Sequence, residues 1–325
     1  MNGMFMNIRG LGDLAKHLHI AHCIRDHNLD FVAISETGRR DFTATVLNRI
    51  SGGLDFQWYC RPPRGRSGGI LLGVNSNSME VLAVLDEDFH IKIHVRNKVD
   101  NFVWTLVAVY GAAQEEYKAA FLRELVNLAK DNPHPILIGG DFNLLRYRHE
   151  KSRGRFDNHW PFLFNAVIDS LDLREVHMTG RQFTWANSLP EPTYEKLDRV
   201  LMDTEWESKY PLVSVRALER IEALSDHAPI LLSTGSSVTH DKHQFKFELG
   251  WLYREGFDEM IKRIWMQPVG GNTPIQRWNN KIRNLRTHLR GWARHTAGIL
   301  KKEKARLSAM IDELKEIAER QPLSP

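Results

Sequence analysis

Short apolar runs that stop abruptly at polar residues recur along the first two thirds of the chain. The run at residues 136–138 is aliphatic and ends at Gly139 and Gly140, which predicts a buried strand followed by a close backbone approach. Residues 115–130 carry apolar side chains at helical spacing. Because strands and helices interleave without a fixed repeat, we predict an α/β fold with large sheets covered by helices. Further strands are predicted at 4–6, 30–37, 56–60, 69–74, 89–96, 102–109, 182–185, 196–202 and 228–232, and further helices near 14–24, 158–171 and 203–209.

Residues 89–96 alternate between apolar and polar side chains. Successive side chains of a strand point to opposite faces, so this alternation predicts one buried face and one face open to solvent. His90 and His94 fall on the polar face. We therefore predict that both histidines are solvated and bind no ligand.

The last part of the chain has a helical pattern. Its apolar residues recur at alternating spacings of four and three, at Trp278, Ile282, Leu285, Leu289 and Trp292. This spacing predicts a helix, or a helical hairpin broken near Gly298, that packs on itself or on the main domain. Self-association through residues 276–321 is the alternative, although Thr296 and Glu303 interrupt the apolar stripe.

Charge is distributed unevenly along the chain. Residues 1–235 hold 27 Lys and Arg against 30 Asp and Glu, a net charge of −3, so residues 236–325 carry +7. Residues 277–306 contain ten basic residues against Glu303 alone. Such a face contacts nucleic acid or is solvated, and the sequence leaves both open. We predict a globular domain at 1–235, followed by a linker and a basic helical extension at 236–325.

The composition is that of an ordinary globular protein, with 42% hydrophobic and 26% charged residues. The longest nearly apolar run, residues 102–113, is too short to span a bilayer, and Arg9 and Asp13 stand where a signal peptide would be apolar. Cys23 and Cys60 are too few for a disulfide framework or a zinc site on their own. These features predict no membrane partner and a reducing, nuclear or cytoplasmic location.

Polar residues stand where the predicted strands end. Carboxylates from separate strands can hold a hard cation through oxygen, with water completing its shell, as magnesium prefers. An aspartate beside a histidine orients the ring and favours imidazolium, while asparagine and tyrosine provide neutral donors for a charged oxygen. Such a set predicts metal-assisted attack of water on a phosphate ester. Its members are Asn7, Glu36, Tyr110, Asp141, Asn143, Asp198, Asp226 and His227.

The order of these residues resembles that of the endonuclease/exonuclease/phosphatase superfamily over residues 4–234. The segments that carry the resemblance are Asn7, Ser35-Glu36-Thr37, Tyr110-Gly111, Gly140-Asp141-Phe142-Asn143, Leu197-Asp198-Arg199 and Ser225-Asp226-His227. Residues 66–72, 180–185 and 225–232 resemble, more narrowly, the endonuclease domain of plant LINE-type non-LTR retrotransposons. Residues 245–251 resemble the sequence that follows that domain in the same polyproteins.

The resemblance implies a four-layer sandwich, in which two mixed β-sheets pack face to face between helices, with the active site at one edge. It also implies a magnesium ion, for which manganese can substitute, held by Glu36 with help from Asn7 and Asp226. In the same scheme Asp141 orients or deprotonates the attacking water. His227, held by Asp198, stabilises the developing charge.

The remaining site residues also take their expected roles from the resemblance. Asn143 and Tyr110 would bind the scissile phosphate, and Thr184 and Ser225 would face DNA. The division of proton transfer between the aspartate and the histidine is left open.

The resemblance predicts an enzyme that nicks DNA by hydrolysing a phosphodiester and leaves a 3′-hydroxyl. Polyproteins of this type continue into a reverse transcriptase, which we expect this chain to lack. One alternative is another phosphoesterase of the same fold, acting on abasic DNA, RNA or a small phosphoester. The other alternative is an inactive nucleic-acid-binding remnant.

Overall fold

The computed structural model describes residues 1–63, 68–130, 132–235, 249–270 and 273–320. These residues form two compact units, of which the larger holds residues 1–235 and the smaller lies within 249–318. Residues 66, 67 and 245–248 of the retrotransposon-like segments lie outside the described residues. Among the described helices, none combines the length and the apolar composition that crossing a membrane requires.

The larger unit interleaves strands with helices, as the sequence pattern predicts. Its helices are α1 (Leu14–Asp26), α2 (Ala44–Ile50), α3 (Glu115–Lys130), α4 (His159–Ser170) and α5 (Thr204–Lys209). Its strands are β1 (Asn2–Asn7), β2 (Phe31–Ser35), β3 (Phe56–Arg61), β4 (Ile70–Asn75), β5 (Met79–Asp86), β6 (His90–Asn97), β7 (Val103–Tyr110), β8 (Ile136–Asp141), β9 (Arg174–Glu175), β10 (Met178–Thr179), β11 (Trp185–Ala186), β12 (Tyr194–Glu195), β13 (Asp198–Met202), β14 (Ser214–Ala217) and β15 (Ile230–Ser233).

The strands form two large mixed sheets. In the first sheet β1 lies between the parallel strand β2 and the antiparallel strand β15, and the order is β10-β14-β15-β1-β2-β4-β3. In the second sheet β7 and β8 are parallel, and the order is β5-β6-β7-β8-β13-β9. Strands β11 and β12 pair separately as a short ribbon.

The two sheets pack face to face, with helices on both outer faces. Phe5 and Phe31 of the first sheet share one buried cluster with Trp104 of the second. Gly139 makes room for this packing, because a Cβ added there would lie 2.4 Å from the ring of Phe5. Gly140 has a positive φ of 134°, which glycine tolerates best. Helices α1 and α2 cover the first sheet, and α3 and α4 cover the second. The predicted four-layer sandwich is therefore confirmed.

The prediction that His90 is solvated is wrong. His90 is only 3% exposed, and its Nδ1 lies 2.6 Å from Glu124 Oε1 on α3. Helix α3 covers this end of the polar face of β6, whereas Lys92, His94 and Arg96 keep partial exposure. His94 is half-buried, with Nδ1 2.9 Å from Thr105 Oγ1, and burial lowers its pKa.

The smaller unit contains α6 (Phe257–Trp265) and all but the last two residues of α7 (Pro274–Arg320). The 47 residues of α7 form one helix through Gly298, so the predicted break there is wrong. A single glycine costs only about 1 kcal/mol in a helix interior, which a long helix tolerates. Part of the predicted apolar stripe packs within this unit, in a cluster that includes Trp251, Phe257, Leu285, Leu289 and Trp292.

Candidate active site

Strand register brings the polar strand ends together. Asn7 ends β1 beside the end of β2, one residue before Glu36. In the second sheet Tyr110 pairs with Asp141, which pairs in turn with Asp198 of β13. Because the two sheets face each other, these ends meet at one edge of the sandwich, and the loop before β15 reaches the same edge.

A buried polar network joins the two sheets. Asn7 Nδ2 donates to Asp141 Oδ2 at 2.9 Å and lies 3.5 Å from His227 Nε2. On the other side of the ring, His227 Nδ1 lies 2.8 Å from Asp198 Oδ2. Each of these four side chains is at most 5% exposed. Groups from three strands and one loop therefore share a site that is closed to bulk water.

The charges of this network set its protonation. Burial lowers the pKa of His227, but the carboxylates of Asp198 and Asp141 outweigh burial and raise this pKa well above its ordinary value. Burial raises the pKa of Asp141, although the charge of His227 opposes the rise. His227 is therefore an imidazolium at neutral pH, donating from Nδ1 to Asp198 and directing Nε2 toward Asp141 Oδ2 at 3.7 Å.

Glu36 is presented by a strained turn at the end of β2. Its φ is 57°, a left-handed conformation that is rare for residues with a long side chain. Gly68 packs against this turn, because a Cβ added there would lie 2.5 Å from Glu36 Cγ and 2.7 Å from Glu36 Cα. Backbone hydrogen bonds from Gly10 to Glu36 and from Gly38 to Gly68 hold the turn from both sides. The carboxylate is thus fixed in position by its neighbours.

Tyr110 and Asn143 place neutral donors beside the carboxylates. The hydroxyl of Tyr110 donates to Glu36 Oε1 at 2.9 Å. Burial raises the pKa of Tyr110, and the carboxylates of Glu36 and Asp141 raise it further, so the phenol stays protonated. Asn143 has a φ of 51°, and its backbone N–H donates to Asp141 Oδ1 at 2.9 Å while its Nδ2 donates to Gly111 O at 3.0 Å.

Asp226 is held through one oxygen only. Its Oδ2 accepts from Trp185 Nε1 at 3.1 Å and from Arg9 Nη1 at 3.3 Å. Its Oδ1 is buried and has no hydrogen-bond partner among the residues that the structure describes. Trp185 and Arg9 were not predicted as site residues. Their positions in the sequence could have indicated them, because Trp185 directly follows Thr184 and Arg9 stands two residues after Asn7.

Thr184 and Ser225 act from inside the fold, at 0% and 4% exposure. Thr184 Oγ1 accepts from two successive backbone N–H groups at 3.0 Å each, the second being that of Asp198. Ser225 Oγ donates to Asn7 O at 2.7 Å and accepts from the backbone N–H of His227 at 3.1 Å. Both hydroxyls are therefore engaged inside the fold, where they hold site residues in place, and the predicted contact of Thr184 and Ser225 with DNA stays a prediction.

A buried ionic cluster anchors β13 beside the site. The side chain of Arg199 is 0% exposed and lies 3.1 Å from a carboxylate oxygen of Glu150 and 3.0 Å from one of Glu175. Glu175 also contacts Lys196 and Arg146. Burial raises the pKa of Glu175, but the charges of Arg199 and Lys196 outweigh burial and lower this pKa to about 2.

We expect Glu175→Gln to lower the free energy of unfolding at neutral pH by roughly 3 kcal/mol, the equivalent of the pKa shift. Because the pKa is lower in the folded state, this stabilisation is complete above pH 4.5, the ordinary value, and is lost as the pH falls toward 2. Urea unfolding across this pH range would show the two proteins converging in acid. Glu116→Gln, an exposed change on α3, is the matched control. A difference that stays constant with pH would contradict the prediction.

At one edge of the mixed two-sheet sandwich, carboxylates, a buried imidazolium and neutral donors lie together, as the site of a hydrolase requires. The chain belongs to the endonuclease/exonuclease/phosphatase family, whose sequence model matches residues 4–227. The superfamily assignment made from the sequence is thereby confirmed.

Solved structures share this fold. The endonuclease domain of TRAS1, a telomere-specific non-LTR retrotransposon, aligns with a TM-score of 0.56 at 14% identity and covers 73% of this chain and 99% of its own. The AP endonuclease LMAP of Leishmania major aligns with a TM-score of 0.54 at 14% identity, and the alignment covers 71% of this chain and 86% of LMAP. An endonuclease/exonuclease/phosphatase of Bacteroides vulgatus aligns with a TM-score of 0.51 at 16% identity, and the alignment covers 71% of this chain and 97% of that protein. These identities establish the fold alone. No curated protein matches the chain in sequence.

The family implies a divalent metal, and one candidate group is buried at the centre of the site. Asp141, Asp198 and His227 offer ligand atoms that lie within 4.8 Å of one another. A metal bound at His227 Nε2 would have to displace the proton that the imidazolium carries there, and Asp198 Oδ2 already accepts from Nδ1. Magnesium also prefers oxygen to imidazole nitrogen. This group therefore fits the ion poorly.

Glu36, Asn7 and Asp226 fit a hard divalent ion better. They offer only oxygen atoms, and Asp226 Oδ1 is buried without a partner, as a vacant ligand position requires. Burial raises the pKa of Tyr110 and lowers that of Lys16, and the charges of Glu36 and Asp226 both contribute to the pKa of each group.

Proposed function

We propose that the protein is a magnesium-dependent endonuclease that nicks DNA and leaves a 3′-hydroxyl. The observation that carries this proposal is the network of Asn7, Asp141, Asp198 and His227 beside two carboxylates, with one buried carboxylate oxygen unpartnered. Water would add to phosphorus, the bond from phosphorus to the 3′-oxygen would break, and the products would be a 3′-hydroxyl and a 5′-phosphate. Proteins of similar fold that act on DNA, a retrotransposon endonuclease and an AP endonuclease, support the choice of substrate.

The metal site in this proposal consists of Glu36, Asn7 and Asp226. A bound magnesium ion would neutralise phosphate charge and act as a Lewis acid toward a phosphoryl oxygen. Asn7 can serve in two ways, because its Nδ2 donates to Asp141 while its Oδ1, which accepts only the backbone N–H of Arg9 at 3.1 Å, keeps a lone pair.

The remaining residues handle the water and the phosphate. Asp141 faces the imidazolium and has a raised pKa, so it can orient the attacking water and accept its proton. His227 places positive charge where negative charge develops on the phosphate, and Asp198 keeps it charged. Tyr110 and Asn143 supply neutral donors to the same group.

Supercoiled plasmid provides the direct test. Purified protein should convert it to nicked circles in magnesium, should do the same in manganese, and should do nothing in chelator. A DNA polymerase should extend the nicks without prior phosphatase treatment, because they carry 3′-hydroxyls. Abasic duplex, RNA and a sugar phosphate, assayed in parallel, separate this proposal from other phosphoesterases of the fold. An intact plasmid beside a cleaved abasic duplex would assign the protein to abasic DNA instead.

We further propose that the basic extension at residues 236–325 contributes affinity for DNA and that residues 1–235 carry out the chemistry. Among the described residues of α7, several basic side chains are exposed, including Arg277, Arg286, Lys302 and Lys304. Helix-mediated self-association through residues 276–321 is the competing role. Leu307, Met310, Ile311 and Leu314 support it, since each is more than 40% exposed.

Truncation after Gly235 should weaken binding to duplex DNA and flatten its salt dependence. If about five basic side chains neutralise phosphates, they contribute roughly −4 to the slope of log affinity against log salt. Titration of labelled duplex at several salt concentrations measures both slopes, and magnesium-dependent nicking should remain detectable at low salt. The full chain with Arg277, Arg286, Lys302 and Lys304 changed to glutamine is the control. Equal slopes for all three proteins would show that α7 does not touch DNA, and sedimentation would then test self-association.

A further inference from the structure

Asp226 receives two hydrogen bonds of different character on the same oxygen. One donor is the neutral indole N–H of Trp185, at 3.1 Å from Oδ2, and the other is the guanidinium of Arg9, at 3.3 Å. The side chain of Arg9 is 61% exposed, whereas that of Asp226 is 19% exposed. Both donors occupy Oδ2, whereas the buried Oδ1 has no hydrogen-bond partner among the described residues.

The indole is fixed by backbone contacts on both sides. Trp185 pairs with Glu195 in the β11–β12 ribbon and forms an isolated bridge with His227. The neighbouring backbone N–H of Ala186 donates to Asp226 O at 3.2 Å. The segment that carries the indole is therefore tied directly to the segment that carries the carboxylate, and the N–H needs no reordering to donate.

The two donors respond differently to a bound cation. The guanidinium of Arg9 carries a full positive charge, which a divalent ion on the same carboxylate repels. The indole N–H of Trp185 is neutral and donates only, so it stays compatible with the ion. Its hydrogen bond fixes the rotation of the Asp226 carboxylate and keeps Oδ1 at its buried position.

We propose that Trp185 is a positioning residue that sets the affinity for the divalent ion, by anchoring Asp226 Oδ2 and presenting Oδ1. The inference rests on the proposed function, because the ion is the one assigned to Glu36, Asn7 and Asp226. Outer partners of metal ligands typically change metal affinity by 10–100-fold when removed. Trp185 therefore affects occupancy of the site and leaves the chemical step largely unchanged once the site is full.

The test is a titration of the full chain with Mn²⁺ in the absence of DNA. Electron paramagnetic resonance measures the concentration of free Mn²⁺ at each step. Trp185→Phe keeps an aromatic ring and removes the N–H, and it should raise the dissociation constant for Mn²⁺ by ~10-fold or more. With DNA present, the rate at saturating Mn²⁺ should stay within about 3-fold of wild type. Arg9→Gln should leave Mn²⁺ binding unchanged or tighter, because it removes a competing charge.

The matched control is Trp160→Phe, since Trp160 Nε1 also donates to a carboxylate, Glu115 Oε1 at 3.4 Å, away from the site. It should leave Mn²⁺ affinity unchanged. If Trp185→Phe fails to fold, benzothienylalanine at position 185 keeps the ring shape and replaces the N–H with sulfur, and it should show the same loss. Unchanged Mn²⁺ affinity in a folded variant would overturn the inference.

The ion titration separates this inference from the proposed function. Wild-type protein that binds Mn²⁺ but leaves DNA intact would overturn the nuclease assignment, while the affinity ratio would still decide the role of Trp185. Wild-type protein that binds no Mn²⁺ would overturn both. Glu36→Gln should also lose Mn²⁺ affinity, because it removes a charged ligand.

Discussion

Glu36→Gln is expected to reduce magnesium-dependent nicking of plasmid DNA by at least 10³-fold, roughly 4 kcal/mol of barrier. Glutamine has nearly the same shape and still accepts from the hydroxyl of Tyr110 at the Glu36 Oε1 position. The change therefore removes one negative charge from the metal site while the turn against Gly68 stays in place. Single-turnover cleavage over a range of magnesium concentrations measures the loss.

The control for this experiment is Glu116→Gln, an exposed glutamate on α3. Circular dichroism and thermal unfolding of both variants should match wild type, because neither change opens a cavity. Rates close to wild type in a folded Glu36→Gln protein would show that the ion is not held at Glu36. Nicking that persists in chelator would indicate a contaminating nuclease.

His227→Gln is expected to lower the single-turnover rate by at least 10²-fold, roughly 3 kcal/mol, and to leave DNA affinity within a few-fold of wild type. The imidazolium donates to Asp198 at 2.8 Å and lies 3.7 Å from a carboxylate oxygen of Asp141, so its charge is held where a phosphate would gain negative charge. Glutamine can fill the position but carries no charge.

Asp198→Asn tests whether the hydrogen-bonded pair of His227 and Asp198 acts as a unit. An amide at 198 removes the charge that raises the pKa of His227, so the rate should fall by a similar factor. The double variant should be little worse than His227→Gln alone, because residues that act as a unit are not additive. Additive losses would show that the two side chains act independently, and wild-type rates in either single variant would place the site elsewhere.

Much of the element pattern could be predicted from the sequence because β1, β2 and β8, among others, end at polar residues. Helix α3 has the predicted bounds, and β8 delivers Asp141 directly after two glycines. Strand register, which no local sequence pattern predicts, pairs Tyr110 with Asp141 and Asp141 with Asp198. Order along the chain identified the site residues, while their distances depend on how the two sheets face each other.

What the sequence missed are features that depend on which surface another element covers. The alternation around His90 was real, yet His90 is buried beside Glu124 of α3. For Thr184 the sequence did not indicate that its hydroxyl accepts from the backbone N–H of Asp198, and its contact with DNA stays a prediction. The bond from Trp185 to Asp226 joins residues 41 positions apart, and no spacing rule connects them.

The central place of β1 in its sheet determines when the enzyme can first exist during synthesis. Its partner β15 comes more than 200 residues later, as the hydrogen bond between Met1 and Thr234 across 233 positions shows. A ribosome needs ~10–50 s to cover that distance at 5–20 residues per second. Until then β1 has an open edge of apolar strand, the kind of edge that pairs with other chains. A product released before residue 226 would contain β8 and β13 but would lack Asp226 and His227. The edge of β1 that β15 covers is therefore closed only after most of this unit has been synthesised.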